Sequence, residues 1–337
     1  MRRRTVSADT YVFESTRIRA LESRLIGKEG LERLLEAENV DQRAEILEAL
    51  GVEVIRDPKS GKPDRDKTLE RRLQAAYEEV LSLTDRGDFL MLWLYPYDGN
   101  NVKAVIKCRH RGIDPEGLLF DFGTISLEIL KEVADHSAYS ELPSPFGEAA
   151  AEAAQTLAAT NNPQVVDLIL DRACYRGMLE LAQGCGVEFA ATLVKQRIDL
   201  TNLMICLRRI RGADRYVREI LPQETVLEGG TLSYDYLKDL CLGGEEYFWK
   251  RLEFSAYDKF SYRCGVKSTF GQAERVADDL FMEQVRRAHQ IPYGAEPLLG
   301  YLLGSEYEVK NLRIALSCNF ADESRKSCLE RIRSSYV

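Results

Sequence analysis

At nearly even spacing along this chain a carboxylate stands three residues before an asparagine: Asp98 and Asn101, Asp199 and Asn202, Glu308 and Asn311. An apolar residue follows each asparagine, Val102, Leu203 and Leu312 in turn. An ionised carboxylate only accepts hydrogen bonds, whereas an asparagine amide both donates and accepts. Such a pair can gather backbone groups, or close a polar contact between two elements, with no covalent bond made or broken. A feature copied at nearly even spacing also argues against one catalytic centre, because a copied feature belongs more naturally to a scaffold.

Two structural roles fit the pair. In one, Asp98 or Asp199 is a helix N-cap that accepts from the backbone N–H three residues on, contributing about 0.5–2 kcal/mol per site. The third copy resists that role. Ser305-Glu306-Tyr307-Glu308 matches a capping box, which would start a helix at Ser305 and place Glu308 inside it. In the other role, acid and asparagine share one helical face, as residues i and i+3 do, and together bond a neighbouring helix.

Other chemistry-bearing residues do not assemble into a reactive set. Gly265-Val266-Lys267-Ser268-Thr269 lacks the Gly-Lys-[Ser/Thr] order of a phosphate loop. Gly184-Cys185-Gly186 is a turn without the dinucleotide-binding glycine pattern. The histidines are His110, His136 and His289, and no two have metal-ligand spacing. No nucleophile–histidine–acid set can be argued, so neither a catalytic group, a cofactor nor a metal site is expected.

The elements that must position the pairs read as helices. Leu21 to Leu50 is helical, interrupted at Asn39-Val40-Asp41, where Asp41 is a candidate N-cap. Asp57 to Pro63 is an exposed loop. Thr68 to Thr84 puts Leu69, Leu73, Ala76, Tyr77 and Val80 on one face. Each motif asparagine opens a helical stretch with an apolar stripe: Val102, Val105 and Ile106; Leu203, Cys206, Leu207 and Ile210; Leu312, Ala315 and Leu316. Basic residues lie beside the stripes, among them Lys103, Lys107, Arg208, Arg209 and Arg313. Gly112 and Gly212 are the stops of the first two stretches, and Asn319 is a weaker stop for the third. A second repeat supports the first. Gly123-Thr124-Ile125-Ser126 resembles Gly230-Thr231-Leu232-Ser233, each leading into a further helix that Thr or Ser can cap. No sustained alternation marks a strand, so an all-α fold is expected.

The 337 residues exceed one comfortable core and suit two or three subdomains. A net charge of −8 argues against nonspecific nucleic-acid binding. No apolar run approaches the ~20 residues that cross a bilayer, and no apolar segment of a signal peptide follows Met1-Arg2-Arg3-Arg4. The eight cysteines include no Cys-x-x-Cys pair, and several fall in apolar faces. Reduced, buried thiols in a cytoplasmic protein are expected.

The three acid-x-x-Asn copies, with the segments Tyr97 to Gly112, Arg197 to Gly212 and Tyr301 to Leu316, and the closing Leu329 to Val337, resemble the C-type subunit of the archaeal and bacterial V-type (A-type) ATPase/ATP synthase, counterpart of the d-type subunit of the eukaryotic vacuolar ATPase. The first copy departs from the pattern with Val102 in place of leucine and a Pro-Tyr-Asp-Gly entry. The resemblance implies three pseudo-symmetric helical repeats arranged as a funnel, here 1–137, 138–240 and 241–337. It implies a non-catalytic component, cytoplasmic and peripheral to the membrane, that caps the membrane rotor ring and receives the central stalk of D- and F-type subunits. Lys103, Lys107, Arg208, Arg209 and Arg313 are the candidate partner-binding residues. Asp98, Asn101, Asp199, Asn202, Glu308 and Asn311 are the repeat motif. A helical-repeat adaptor outside any rotary complex is the alternative.

Overall fold

A computed structural model describes residues 11–212 and 225–337. The basic start at Met1 to Arg4 lies outside the described residues. The chain is all-α. Among the described residues the only β pairing is an isolated bridge between Arg56 and Pro63, at the base of the expected 57–63 loop.

The described residues fall into two compact units. In chain order, α1 (Val12–Glu22), α2 (Lys28–Glu36), α3 (Val40–Ala49) and α4 (Arg65–Ser82) belong to one unit. The other unit, residues 87–245, holds α5 (Asp88–Met91), α6 (Tyr95–Arg111), α7 (Leu127–His136), α8 (Gly147–Thr160), α9 (Gln164–Gly184), α10 (Glu188–Arg211) and α11 (Tyr234–Leu242). The chain then returns to the first unit with α12 (Glu245–Leu252), α13 (Asp258–Arg263), α14 (Phe270–Val285), α15 (Ala295–Ser317) and α16 (Asp322–Arg331).

In the 87–245 unit, α9 is the central helix and packs on α6, α8 and α10. Small residues let the neighbours approach: Ala149, Ala150 and Ala153 of α8 are buried. A proline in the first turn of α6 costs no intrahelical bond there. Gly112 ends that helix at φ 66°, its amide turned back to the Arg109 and Cys108 carbonyls, which a residue with a Cβ adopts less readily.

In the other unit, α15 is the central helix, packed on α4, α1, α2 and α14. From Ala295 to Gly304 it is apolar and buried on nearly every face, as expected for a core helix, whereas Glu306, Lys310 and Arg313 further on reach the surface. Gly300 and Gly304, one turn apart, form a seat for Tyr336. A Cβ at Gly304 would lie 2.7 Å from Tyr336 Cβ. Tyr336 stacks on His289 at 4.1 Å between ring centroids and donates its hydroxyl to Glu22 at 3.1 Å.

Several local expectations shift. Asn39, not Asp41, caps α3, accepting from the Gln42 amide at 2.8 Å. α4 begins at Arg65 because Asp64 caps it, and it buries Leu69, Leu73, Ala76, Tyr77 and Val80 as the periodicity predicts. The third motif helix starts at Ala295, so Ser305 is interior and bonds back to the Tyr301 carbonyl instead of opening a helix. It ends at Ser317, before Asn319.

Candidate functional site

All three acid–asparagine pairs lie inside long helices, on α6, α10 and α15, and all six residues are buried. The N-cap role is therefore not the observed one, and the asparagines do not open their helices. What the pairs bind is backbone from elsewhere in the chain.

On α6, Asp98 Oδ1 accepts the amides of Thr124 at 2.9 Å and Ile125 at 3.0 Å, and Oδ2 accepts the Thr124 hydroxyl at 2.6 Å. Asn101 Nδ2 donates to the Phe120 carbonyl at 2.8 Å while its Oδ1 accepts the Phe120 amide at 2.9 Å. One amide side chain thus satisfies both backbone groups of one residue, the pattern of a strand neighbour. Burial pushes the Asp98 carboxyl above the usual carboxylate range, against the opposing pull of the Thr124 and Ile125 hydrogen bonds.

The arrangement recurs on α10. Asp199 accepts the Thr231 amide at 2.9 Å, the Leu232 amide at 3.0 Å and the Thr231 hydroxyl. Asn202 pairs with both backbone groups of Leu227 at 2.8 Å. The glycine before each threonine is explained by proximity: a Cβ on Gly123 would stand 2.2 Å from Asp98 Oδ1, and one on Gly230 would stand 2.0 Å from Asp199 Oδ1. The serines of the same segments, Ser126 and Ser233, cap α7 and α11. The copied Gly-Thr-x-Ser string therefore holds two devices, a threonine for the acid and a serine for the next helix.

The third copy keeps the asparagine half. Asn311 pairs with the Arg333 carbonyl at 3.0 Å and amide at 2.9 Å. Its acid is glutamate, one methylene longer, and it turns elsewhere. Glu308 accepts the Ile26 amide at 2.5 Å and Arg72 Nε of α4 at 2.7 Å. Here alone the acid joins a neighbouring helix. Burial lowers the Arg72 pKa, but the Glu308 carboxylate overcomes that and holds it above its usual value.

The basic residues beside the motifs have acid neighbours. Lys103 pairs with Asp171 at 2.6 Å and Lys107 with Asp167 at 2.5 Å, both joining α6 to α9. Arg313 pairs with Asp66 at 3.0 Å. Arg208 is exposed and Arg209 half-buried in the last turn of α10. The five do not converge on one cluster within either unit, since Arg313 belongs to a different unit from the others.

The remaining reactive side chains are occupied structurally. In the glycine–lysine segment, Thr269 forms a capping box with Gln272 at the start of α14. His110 bonds Asn161 at 2.8 Å. An open cleft of about 440 Å³ beside the second clamp is lined mainly by Val226, Leu227, Leu232 and Leu237. Among the described residues, no group of three or more His, Cys, Asp or Glu side chains could hold a metal ion, and no helix is long and apolar enough to cross a membrane. The cysteines bring a correction: Cys206 of α10 and Cys241 of α11 are paired as a disulfide, while the other six are free. Scattered spacing hid the pair because the two meet across a helix crossing, 35 residues apart.

Sequence reasoning missed Thr124, Thr231 and Arg72 as partners of the motif acids. The first two were signalled by the copied Gly-Thr step; Arg72 had no signal of its own.

Fold and clamps together define an all-helical scaffold whose buried polar groups tie long helices to distant segments of backbone. The chain belongs to the ATP synthase (C/AC39) subunit family, whose model matches residues 15–327, and it is accordingly a non-catalytic subunit of a rotary ATPase. It is similar to the C-type subunit of the A-type ATP synthase of Methanocaldococcus jannaschii, 25% identical over 327 residues, covering 90% of this chain and 81% of the relative. It is also similar to the C-type subunit of the V-type sodium ATPase of Enterococcus hirae, 22% identical over 324 residues, covering 95% and 97%. The corresponding subunit of the A-type ATP synthase of Methanothermobacter thermautotrophicus is 25% identical over 333 residues, with 90% and 82% covered.

Proposed function

We propose that this chain is the central-rotor coupling subunit of a V/A-type rotary ATPase: it caps the membrane rotor ring, holds the end of the central stalk, and passes torque between the two during ATP-driven or ATP-forming ion transport. The observation that carries the reading is the copied clamp. A coupling element needs stiffness, and each motif helix is tied by short hydrogen bonds from buried side chains to a segment 19 to 33 residues away, or, for Glu308, to the far end of the chain. Buried, fully paired polar networks of this kind rigidify a fold.

Under this reading the repeats 1–137, 138–240 and 241–337 line a central concavity that takes the stalk end. The partners are the ring subunits and the D- and F-type stalk subunits, and the protein sits on the cytoplasmic side, peripheral to the membrane. Lys103, Lys107, Arg208, Arg209 and Arg313 are the residues proposed to reach those partners.

The test is to present the purified chain separately to a detergent-solubilised rotor ring and to the central-stalk subunits. Binding to both supports the coupling role. A folded chain that binds neither overturns it and favours a helical adaptor outside a rotary complex.

A further inference from the structure

We propose that Cys206 and Cys241 form a reversible redox latch: the disulfide holds the far end of α11 against α10, and reduction frees that end without dismantling the helix crossing. The inference rests on comparing the first two copies of the clamp. Counted from the clamp residues, Cys206 stands where Val105 stands in the first copy, and Cys241 where Ala134 stands. Val105 and Ala134 are buried and line the same cleft between α6 and α7. The first copy therefore faces the two positions onto one cleft with no sulfur at all, and the disulfide is added to a repeated helix crossing.

The geometry suits both states. The Cα atoms of Cys206 and Cys241 are 4.7 Å apart, within the roughly 4.4–6.8 Å that a disulfide spans. Cys206 Sγ also lies 3.5 Å from the Leu237 carbonyl, so a reduced Cys206 thiol has an acceptor in place. The start of α11 is fixed independently, by Asp199 on Thr231 and Leu232 and by the Ser233 cap. Past the disulfide its last turn loosens, before the Arg211–Glu245 ion pair fastens the start of α12 to α10. Leu242 is exposed, and Gly243 and Gly244 follow, the second at φ 82°. Cys206 and Cys241 are both buried, so a reagent reaches the bond when this last turn frays, and the sulfur it meets is that of Cys241.

The exchange balances with a small-molecule thiol as reductant. Its thiolate attacks Cys241 Sγ, the Cys206–Cys241 bond breaks, and Cys206 leaves as a thiolate, which takes a proton. A second thiolate attacks the mixed disulfide on Cys241, releasing Cys241 as the thiol and a small-molecule disulfide. A small disulfide such as oxidised glutathione drives the reverse sequence.

The experiment uses the full-length folded chain, treated with dithiothreitol or with oxidised glutathione, then alkylated and mapped by peptide mass. Melting temperature and amide exchange are measured in each state. The expected result is reversible loss and return of the 206–241 bond with the helical circular dichroism unchanged. Reduction should lower the melting temperature by roughly 3–10 °C and raise exchange in residues 238–242 selectively. The variant Cys206→Val/Cys241→Ala, carrying the residues of the first copy, should melt near the reduced wild type and ignore reductant. Three outcomes would overturn the latch: a bond that dithiothreitol cannot open in the folded chain, thiols that oxidised glutathione cannot join, or a reduced wild type that loses its helical signal. Exchange in the wild type decides the matter even if the variant does not fold.

Discussion

Asp199 holds Thr231 by both its amide and its hydroxyl, across 32 residues of chain. With the Leu232 amide added, one buried carboxylate satisfies three donors of a partly exposed segment. Asp199→Ala leaves those donors without an acceptor and is expected to cost about 3 kcal/mol, the scale of charge-assisted bonds lost in a buried site. Thr231→Val removes one donor and should cost about 1 kcal/mol. Urea unfolding of the two variants measures the difference. Equal costs would mean that the carboxylate does not organise the segment.

Asn202 presents its two ends to the two backbone groups of Leu227. Asn202→Asp keeps the acceptor but replaces the donor with a second acceptor, facing the Leu227 carbonyl. It should destabilise at least as much as Asn202→Ala, by about 1–3 kcal/mol. Thermal melts of both at neutral pH check the order. An aspartate milder than the alanine would indicate that its carboxyl is protonated or has turned away.

Arg72 and Glu308 are a largely buried ion pair, with side chains 19% and 2% exposed. Removing one partner strands the other. Arg72→Met should cost about 3–5 kcal/mol, whereas Arg72→Met combined with Glu308→Met should cost less than the two single changes together. A double-mutant cycle with additive losses would show that the contact has no coupling energy.

Glu283 lies between Lys259 and Arg263 of α13, at 2.9 and 2.6 Å. Burial would raise its carboxyl pKa, but the hydrogen bonds and charges of those two residues hold it below the ordinary 4.5. The folded state thus binds this proton less readily than the unfolded state does. The stabilisation is present above pH 4.5 and is lost as pH falls through the lower folded value. Because the carboxylate is partly exposed, the amount is about 0.5–1 kcal/mol. Melting Glu283→Gln and wild type across pH 7 to 3 should show a gap that closes below pH 4.5; a gap that widened there would reverse the sign.

Charge reversal at Arg208 and Arg209 tests the proposed contact. Binding to the ring or stalk should weaken about tenfold, and added salt should weaken the wild type in the same direction. Unchanged affinity and salt response in the variant would remove these residues from the interface.

Much of this was legible in the residues. The helices around Leu69 to Val80 and Val102 to Ile106 follow from spacing, because burial on one face imposes a 3.6-residue period. α15 was legible only in its second half. Its first half, from Ala295 to Leu303, is buried all round and so carries no polar face to set a period. The motif residues stood out by repetition, but their partners are backbone groups, which have no residue type to read. Phe120, Leu227 and Arg333 contribute only an N–H and a C=O to the asparagines. Cys206 and Cys241 met for a similar reason: the crossing that joins them is a property of the helices, not of cysteine spacing.

The asparagine clamps also bear on how this chain can vary in length. The residue held by the asparagine lies 19 positions away in the first copy, 25 in the second and 22 in the third. The geometry at each asparagine is nonetheless the same, so the differences are absorbed between the pinned points. Lengthening a loop whose ends are already fixed costs little, about 0.6 kcal/mol per doubling. The stretch from Ile113 to Leu119 is therefore the place where an inserted peptide or a fluorescent label should leave α6 and α7 undisturbed. The same insertion between Thr124 and Ser126 would separate the acid's partner from the helix cap that it shares a turn with.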